Sequence, residues 1–253
     1  MPVLRLKESQ INYEVHGAGY PVLLFAPGFL SSRMERWRAN PAKPGVPQDF
    51  LDPVAAMSSR FKLIALDIRN AGQSRGAVGP DSGWHSYTSD HLALLDHLKV
   101  TRCHVMGACI GVSFALALAE ARPGLVTAMV LQNPIGLSSR NRAALDKEFA
   151  IWVDQVKGFP GVDPASLPAF GQRMFGGDFL FAVTRDFVSR CKAPMLLMPG
   201  DDLVHPEEIS ADIKRLAPHT EVVAPWKGDA HKEMAMRRAA EFFAAHQPRN
   251  GKG

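Results

Sequence analysis

Five short runs of the chain are apolar nearly throughout: VLLFAP at 22–27, KLIALD at 62–67, CHVMGA at 103–108, AMVLQNP at 128–134 and MLLMPG at 195–200, with the weaker TEVVAPW at 220–226 after them. A strand with one wet face alternates apolar and polar residues, whereas these runs do not alternate. Continuous apolar strands belong to a parallel sheet covered by helices on both faces. Helix-like stretches fall between the runs: 47–60, 87–98, 109–121, 206–217 and 230–246. In 87–98 the spacing places Leu92, Leu95 and Leu98 on one side with charge opposite, the pattern of an amphipathic surface helix. Only the start differs. VLRLKES and INYEVHG alternate and are joined by a polar turn, which predicts an antiparallel hairpin ahead of an α/β fold.

Two segments interrupt the alternation. Residues 33–48 form a Pro-rich connection, and residues 136–192 form a partly helical insertion longer than a crossover needs. With 253 residues and 46% hydrophobic content, the chain suits one main domain, 1–253, with 136–192 inserted within it. The formal charge of +4 is spread without basic runs, so no nucleic-acid or membrane partner is expected. No stretch approaches the roughly 18 apolar residues of a membrane span. The N-terminal MPVLRLKESQ has no apolar leader, and three scattered cysteines suit a reducing compartment; the expected location is cytoplasmic. Cys103 and Cys191 are expected to be packing residues. His91 and His97, six apart on a helix, do not share a face, and no HExxH or paired CxxC occurs, so no metal is expected.

Ligands of open α/β sheets bind at the carboxyl ends of the strands. The segments there are PGFLSS after 22–27, IRNAGQS after 62–67, Cys109 after 103–108, DDLVHP after 195–200 and KGDAHKE after 220–226. A cysteine, an acidic pair and a histidine thus reach strand ends in that order. Gly107 and Gly111 flank Cys109, as a sharp strand-to-helix turn requires where neighbouring elements approach closely. A five-residue G-x-[SC]-x-G pattern arises by chance in about one chain in ten of this length, so its weight comes from this context.

On these residues the chain resembles the α/β-hydrolase fold superfamily. GACIG at 107–111 stands for the usual G-x-S-x-G, LDIRNAGQS is similar to D-x-R-G-x-G-x-S, and PGDD…HP and GDAH are similar to the acid loop and the histidine segment. Pro27-Gly28 replaces the usual His-Gly, and Asn70 replaces a glycine. The cysteine elbow is similar to that of dienelactone hydrolases and polyhydroxyalkanoate synthases. The resemblance implies a mostly parallel eight-stranded sheet flanked by helices, with 136–192 as a lid. It implies Cys109 as nucleophile, His231 as base, and Asp202 rather than Asp201 as the acid, because the family's acid stands four residues before a proline, here Pro206. His205 is read as a helix-entry residue and Asp67 as a structural carboxylate. The oxyanion hole would be the backbone N–H groups of Phe29 and Ile110. Trp37, Trp84, Trp152 and Phe175 are candidates to line an apolar pocket. The activity implied is hydrolysis of an ester, lactone or thioester with an apolar acyl or ring group through an acyl-cysteine. Acyl transfer through the same thioester, or a non-catalytic ligand-binding role, are the alternatives. The partner is a small-molecule substrate, and no cofactor is implied; oligomeric state is unreadable.

Overall fold

The computed structural model describes residues 2–39 and 50–248. Nine strands form one sheet there: β1 (Val3–Arg5), β2 (Ser9–His16), β3 (Tyr20–Phe25), β4 (Phe61–Leu66), β5 (Arg75–Gly76), β6 (Cys103–Ala108), β7 (Val126–Gln132), β8 (Met195–Met198) and β9 (Glu221–Val222). The order is β1-β2-β4-β3-β6-β7-β8-β9, with β5 pairing on β2. The ninth strand, absent from the eight expected, is the two-residue β5, too short to leave a sequence signal. β2 runs antiparallel to β1, β4 and β5, and every pairing from β4 through β3 to β9 is parallel.

The continuous apolar runs are explained by two cores. Leu23, Phe25, Ile64, Val105, Met129 and Leu197 enter one, and their strand neighbours Val22, Leu24, Leu63, Met106, Val130 and Leu196 enter the other. Successive side chains point to opposite faces, so a strand covered on both sides has no polar position to spare.

Helices α1 (Pro53–Met57) and α8 (Asp229–Ala245) cover one face. Helices α2 (Trp84–His97) and α3 (Ile110–Ala121) pack on the other. α1 is shorter than the helix expected over 47–60: Asp52 accepts the Val54 N–H at 3.0 Å and caps it at Pro53. Residues 40–49, which include the start of that helix and most of the Pro-rich connection, lie outside the described residues. The face of α2 also differs from expectation. Tyr87, Asp90, His91, Leu94 and Leu95 are buried while Leu92 is half-buried. The inward charge is matched: Arg69 donates to both oxygens of Asp90 at 2.8 and 2.9 Å, and Ser9 Oγ adds a bond of 2.6 Å. Removing one partner of such a buried pair costs about 3–5 kcal/mol.

Between β7 and β8 the insertion carries α4 (Arg142–Val156), α5 (Leu167–Phe175) and α6 (Arg185–Arg190). After β8 comes α7 (Glu207–Leu216). No helix among the described residues is long and apolar enough to cross a membrane.

Candidate active site

Cys109 occupies a backbone conformation that few side chains adopt, with φ 56° and ψ −120°, between the last residue of β6 and the first of α3. Such strain persists only where the surroundings enforce it. Here two glycines do so. A Cβ on Gly107 would run into the carbonyl of Gly111 and lie 2.8 Å from Val112 N, and one on Gly111 would meet Phe25, with its Cβ at 2.8 Å. The strand and helix can therefore close the turn only without side chains at both positions. The Cys109 N–H is tied to Gln132 O at 3.0 Å, which leaves the thiol pointing into a cavity of about 500 Å³.

His205 and Asp202 line the same cavity. They come from the loop between β8 and α7, where Asp202 Oδ1 accepts the N–H groups of Val204 and His205, each at 2.9 Å. That turn curls the chain so that the His205 ring comes back onto its own carboxylate, with Nδ1 2.9 Å from both oxygens. Gly200 makes room for it, since a Cβ there would lie 2.8 Å from the Cβ of His205. Of the two neighbouring carboxylates, Asp202 thus holds the histidine, and Asp201 pairs with Lys227. Lys227 Nζ also lies 3.8 Å from Asp202.

The charges of these groups depend on one another. Burial alone would push the Cys109 thiol up, but attraction to His205 and the backbone N–H groups of Gly28 and Phe29 outweigh it and bring the thiol below its ordinary range. Burial would pull His205 down, yet the charge of Cys109 and the bond to Asp202 raise it to about 9. Asp202, pushed up by burial, is held well below the usual carboxylate range by His205 and then by Lys227. Charge attraction and a side-chain hydrogen bond both join His205 to the Cys109 sulfur. Each group thus favours the charged form of the other, thiolate beside imidazolium.

The structure does not bring His231 to this cavity. It stands in the first turn of α8, its N–H bonded to Gly228 O at 3.1 Å, while the cavity's histidine is His205. The expectation of a helix-entry role for His205 fails because the Asp202 turn reverses the side chain before α7 begins. An Asp three residues ahead of a His was the signal present in the sequence.

The N–H groups of Gly28 and Phe29 face the thiol, and Ile110 follows Cys109 in the chain. Phe29, at φ 54°, follows Gly28 at φ 127°, and Ile110 opens α3, where a helix leaves its first N–H groups without internal partners. Among the aromatic candidates, Trp152 lines the cavity. Phe175 stands behind it, stacked on Phe29 at 4.5 Å and 17°. The other two lie elsewhere. Trp37 is 1% exposed in the core beneath α8, and Trp84 packs on Phe114 while its Nε1 donates to Met174 O at 2.9 Å. The cavity wall is also less apolar than expected, because Ser31, Arg36, Glu148 and Gln155 enter it alongside Trp152 and Ile151.

Asp67 and Asn70 serve the framework. Asp67 accepts from Met34 N at 3.0 Å, Gln73 N at 2.9 Å and Asn12 Nδ2 at 3.1 Å, joining the Met34 turn and the Gln73 loop to strand β2. Asn70 takes φ 59° where the family has glycine, a conformation asparagine tolerates, and exchanges two 2.9 Å bonds with the Gly76 backbone. Among the described residues no three His, Cys, Asp or Glu side chains gather to hold a metal ion.

A strained elbow at the end of a central parallel strand, with an acid loop two strands away, is the arrangement that defines the α/β-hydrolase fold. Residues 21–186 match the family model described as alpha/beta hydrolase fold, and the chain belongs to that family. It is 28% identical over 126 residues to a putative carbamate hydrolase RutD of Agrobacterium fabrum, covering 49% of this chain and 43% of that protein. It is 30% identical over 133 residues to the RutD of Azorhizobium caulinodans, covering 53% and 44%. The matched region thus spans less than half the length of these relatives. Among solved structures, the enol-lactonase of Burkholderia xenovorans LB400 superposes with a TM-score of 0.68 at 17% identity, over 96% of this chain and 100% of that one. A meta-cleavage product hydrolase of Pseudomonas fluorescens IP01 gives 0.68 at 18% identity, over 94% and 95%. At those identities the likeness is one of fold.

Proposed function

We propose that this chain is a hydrolase of ester-type bonds (ester, lactone or thioester) that works through an acyl-cysteine on Cys109. The observation that carries the reading is geometric: Cys109, strained at the elbow, lines one cavity with His205, whose Nδ1 is fixed by Asp202 at 2.9 Å. A binding protein has no physical need for a depressed thiol facing a raised imidazole at a strained elbow. The relatives named as carbamate hydrolases support hydrolysis as the reaction type.

In this mechanism the thiolate attacks the carbonyl carbon, and the oxygen that gains the electron pair is received by the N–H groups of Phe29 and Ile110. The tetrahedral adduct collapses, the leaving oxygen takes the proton of the His205 imidazolium, and a thioester and an alcohol result. The now neutral His205 takes a proton from water as it adds to the thioester. Collapse of that second adduct expels the thiolate and releases the acid, restoring the ion pair. Asp202 keeps Nδ1 protonated and Nε2 toward the sulfur throughout. The insertion 136–192 acts as the lid, with α4 closing the cavity through Trp152 and Ile151.

The test is a burst assay with aryl esters and intact mass recorded during turnover. An acyl adduct on the native chain that is absent from Cys109→Ala supports the reading. A folded native chain that forms no adduct and turns over no ester, lactone or thioester overturns it.

A further inference from the structure

The segment after β9, expected to bring a histidine to the site, brings a lysine instead. Lys227 stands just before Gly228, where α8 begins, and its ammonium reaches the acid pair that follows β8. The reach is set by its neighbour. Trp226 is buried, and its Nε1 donates to Pro199 O at 2.8 Å, which pins the segment to the end of β8. Lys227 Nζ lies 5.3 Å from the centre of the Trp226 ring, pairs with Asp201 and stands 3.8 Å from Asp202 Oδ2. The lysine is half-buried while Asp201 is exposed.

The two oxygens of Asp202 are not alike. Oδ1 accepts the backbone N–H groups of Val204 and His205, each at 2.9 Å, so the turn itself fixes it. Oδ2 takes no backbone donor among the described residues, and its neighbours are His205 Nδ1 at 2.9 Å and Lys227 Nζ. A carboxylate gripped at one oxygen can still rotate or take a proton at the other, and either change would release the His205 ring. A cation beside the loose oxygen opposes both. We propose that Lys227 is a positioning residue that steadies this second oxygen of Asp202 and through it keeps the His205 ring on Cys109, with Asp201 as the anchor of the lysine. The inference rests on the acyl-cysteine reading and gives a part in it to a strand-end loop that supplies no reacting group.

The rate of Cys109 alkylation by iodoacetamide, followed by intact mass against pH on the full chain, reads the pair without any ester. It rises as the thiol ionises and again at about pH 9, where His205 loses its proton and releases the thiolate. The charged groups that bear on it are Cys109, Asp202 and Lys227, with Arg36 and Glu148 in the cavity wall. In Lys227→Met both steps should move up by about half a pH unit, the effect of one partly screened cation, and Lys227→Arg should keep them near native. Asp201→Asn removes an anion and frees Lys227 for Asp202, so its steps should move down. With aryl esters, Lys227→Met should lower kcat about fivefold and leave KM near native. A Lys227→Met profile that overlays the native one overturns the proposal, whatever happens to stability, and so does a shift that Lys227→Arg shares. An Asp201→Asn profile that stays in place or moves up overturns it too, which keeps the test decisive if Lys227→Met fails to fold. Ester turnover with unmoved profiles contradicts the role of Lys227 alone, and shifted profiles without turnover contradict the hydrolase alone.

Discussion

Strand β6 carries a cysteine at its first residue and delivers another just past its last. Cys103 and Cys109 are both buried, at 0% and 5% exposure. Their chemistry diverges. Burial pushes the Cys103 thiol up to about 12, with nothing to oppose it, whereas at Cys109 the same burial is outweighed by His205 and by two backbone N–H groups. The comparison teaches that the end of the strand, not the depth of the residue, decides reactivity: at the carboxyl end, loops from β3 and β8 converge with donors and charge.

Removing the thiols one at a time should break this comparison most sharply. Cys109→Ala should abolish adduct formation and lower turnover by about 10³-fold or more, while Cys103→Ala keeps turnover near the native level and loses stability from its core site. His205→Gln should lower turnover by about 10³-fold and leave the Cys109 thiol titrating higher than in the native chain; His231→Gln should stay near native. Asp202→Asn should cost about a hundredfold by freeing the wrong tautomer, with Asp201→Asn costing only a few-fold, both read as kcat.

The pH dependence sharpens the same contrast. Turnover requires the thiolate with the imidazolium, so it should appear below the ordinary thiol range and fall as pH rises through about 9, where His205 loses its proton. The raised His205 stabilises the fold below its ordinary 6.5, and that contribution is lost as pH passes about 9. Urea melts of the native chain and His205→Gln should therefore converge on the alkaline side. A smaller effect than loss of Asp202 is expected of Gly200→Ala, which crowds the His205 loop. It should cost about 1–3 kcal/mol in urea melts and reduce kcat by about tenfold.

The elbow at Cys109 was legible in the sequence because such a turn writes itself in glycines: Gly107 and Gly111 are needed wherever β6 and α3 close on each other. The two-sided sheet was legible for a similar reason, since Val22 through Phe25 have no polar position to lose. Which histidine shares the cavity with Cys109 was not legible. His205 and His231 both stand at strand ends, and what separates them is the Asx turn at Asp202, a three-residue hydrogen-bond pattern that leaves no periodicity. Trp37 and Trp84 misled because a tryptophan near a strand end is as useful to the core as to a pocket.

The central claim is that Cys109 is activated by His205. It is tested most directly by the pH profile of iodoacetamide alkylation at Cys109 in the native chain, His205→Gln and His231→Gln. The account predicts a native profile with its midpoint below the ordinary thiol value of about 8.5, an upward shift in His205→Gln, and a His231→Gln curve that overlays the native one. An upward shift in His231→Gln with none in His205→Gln would contradict it.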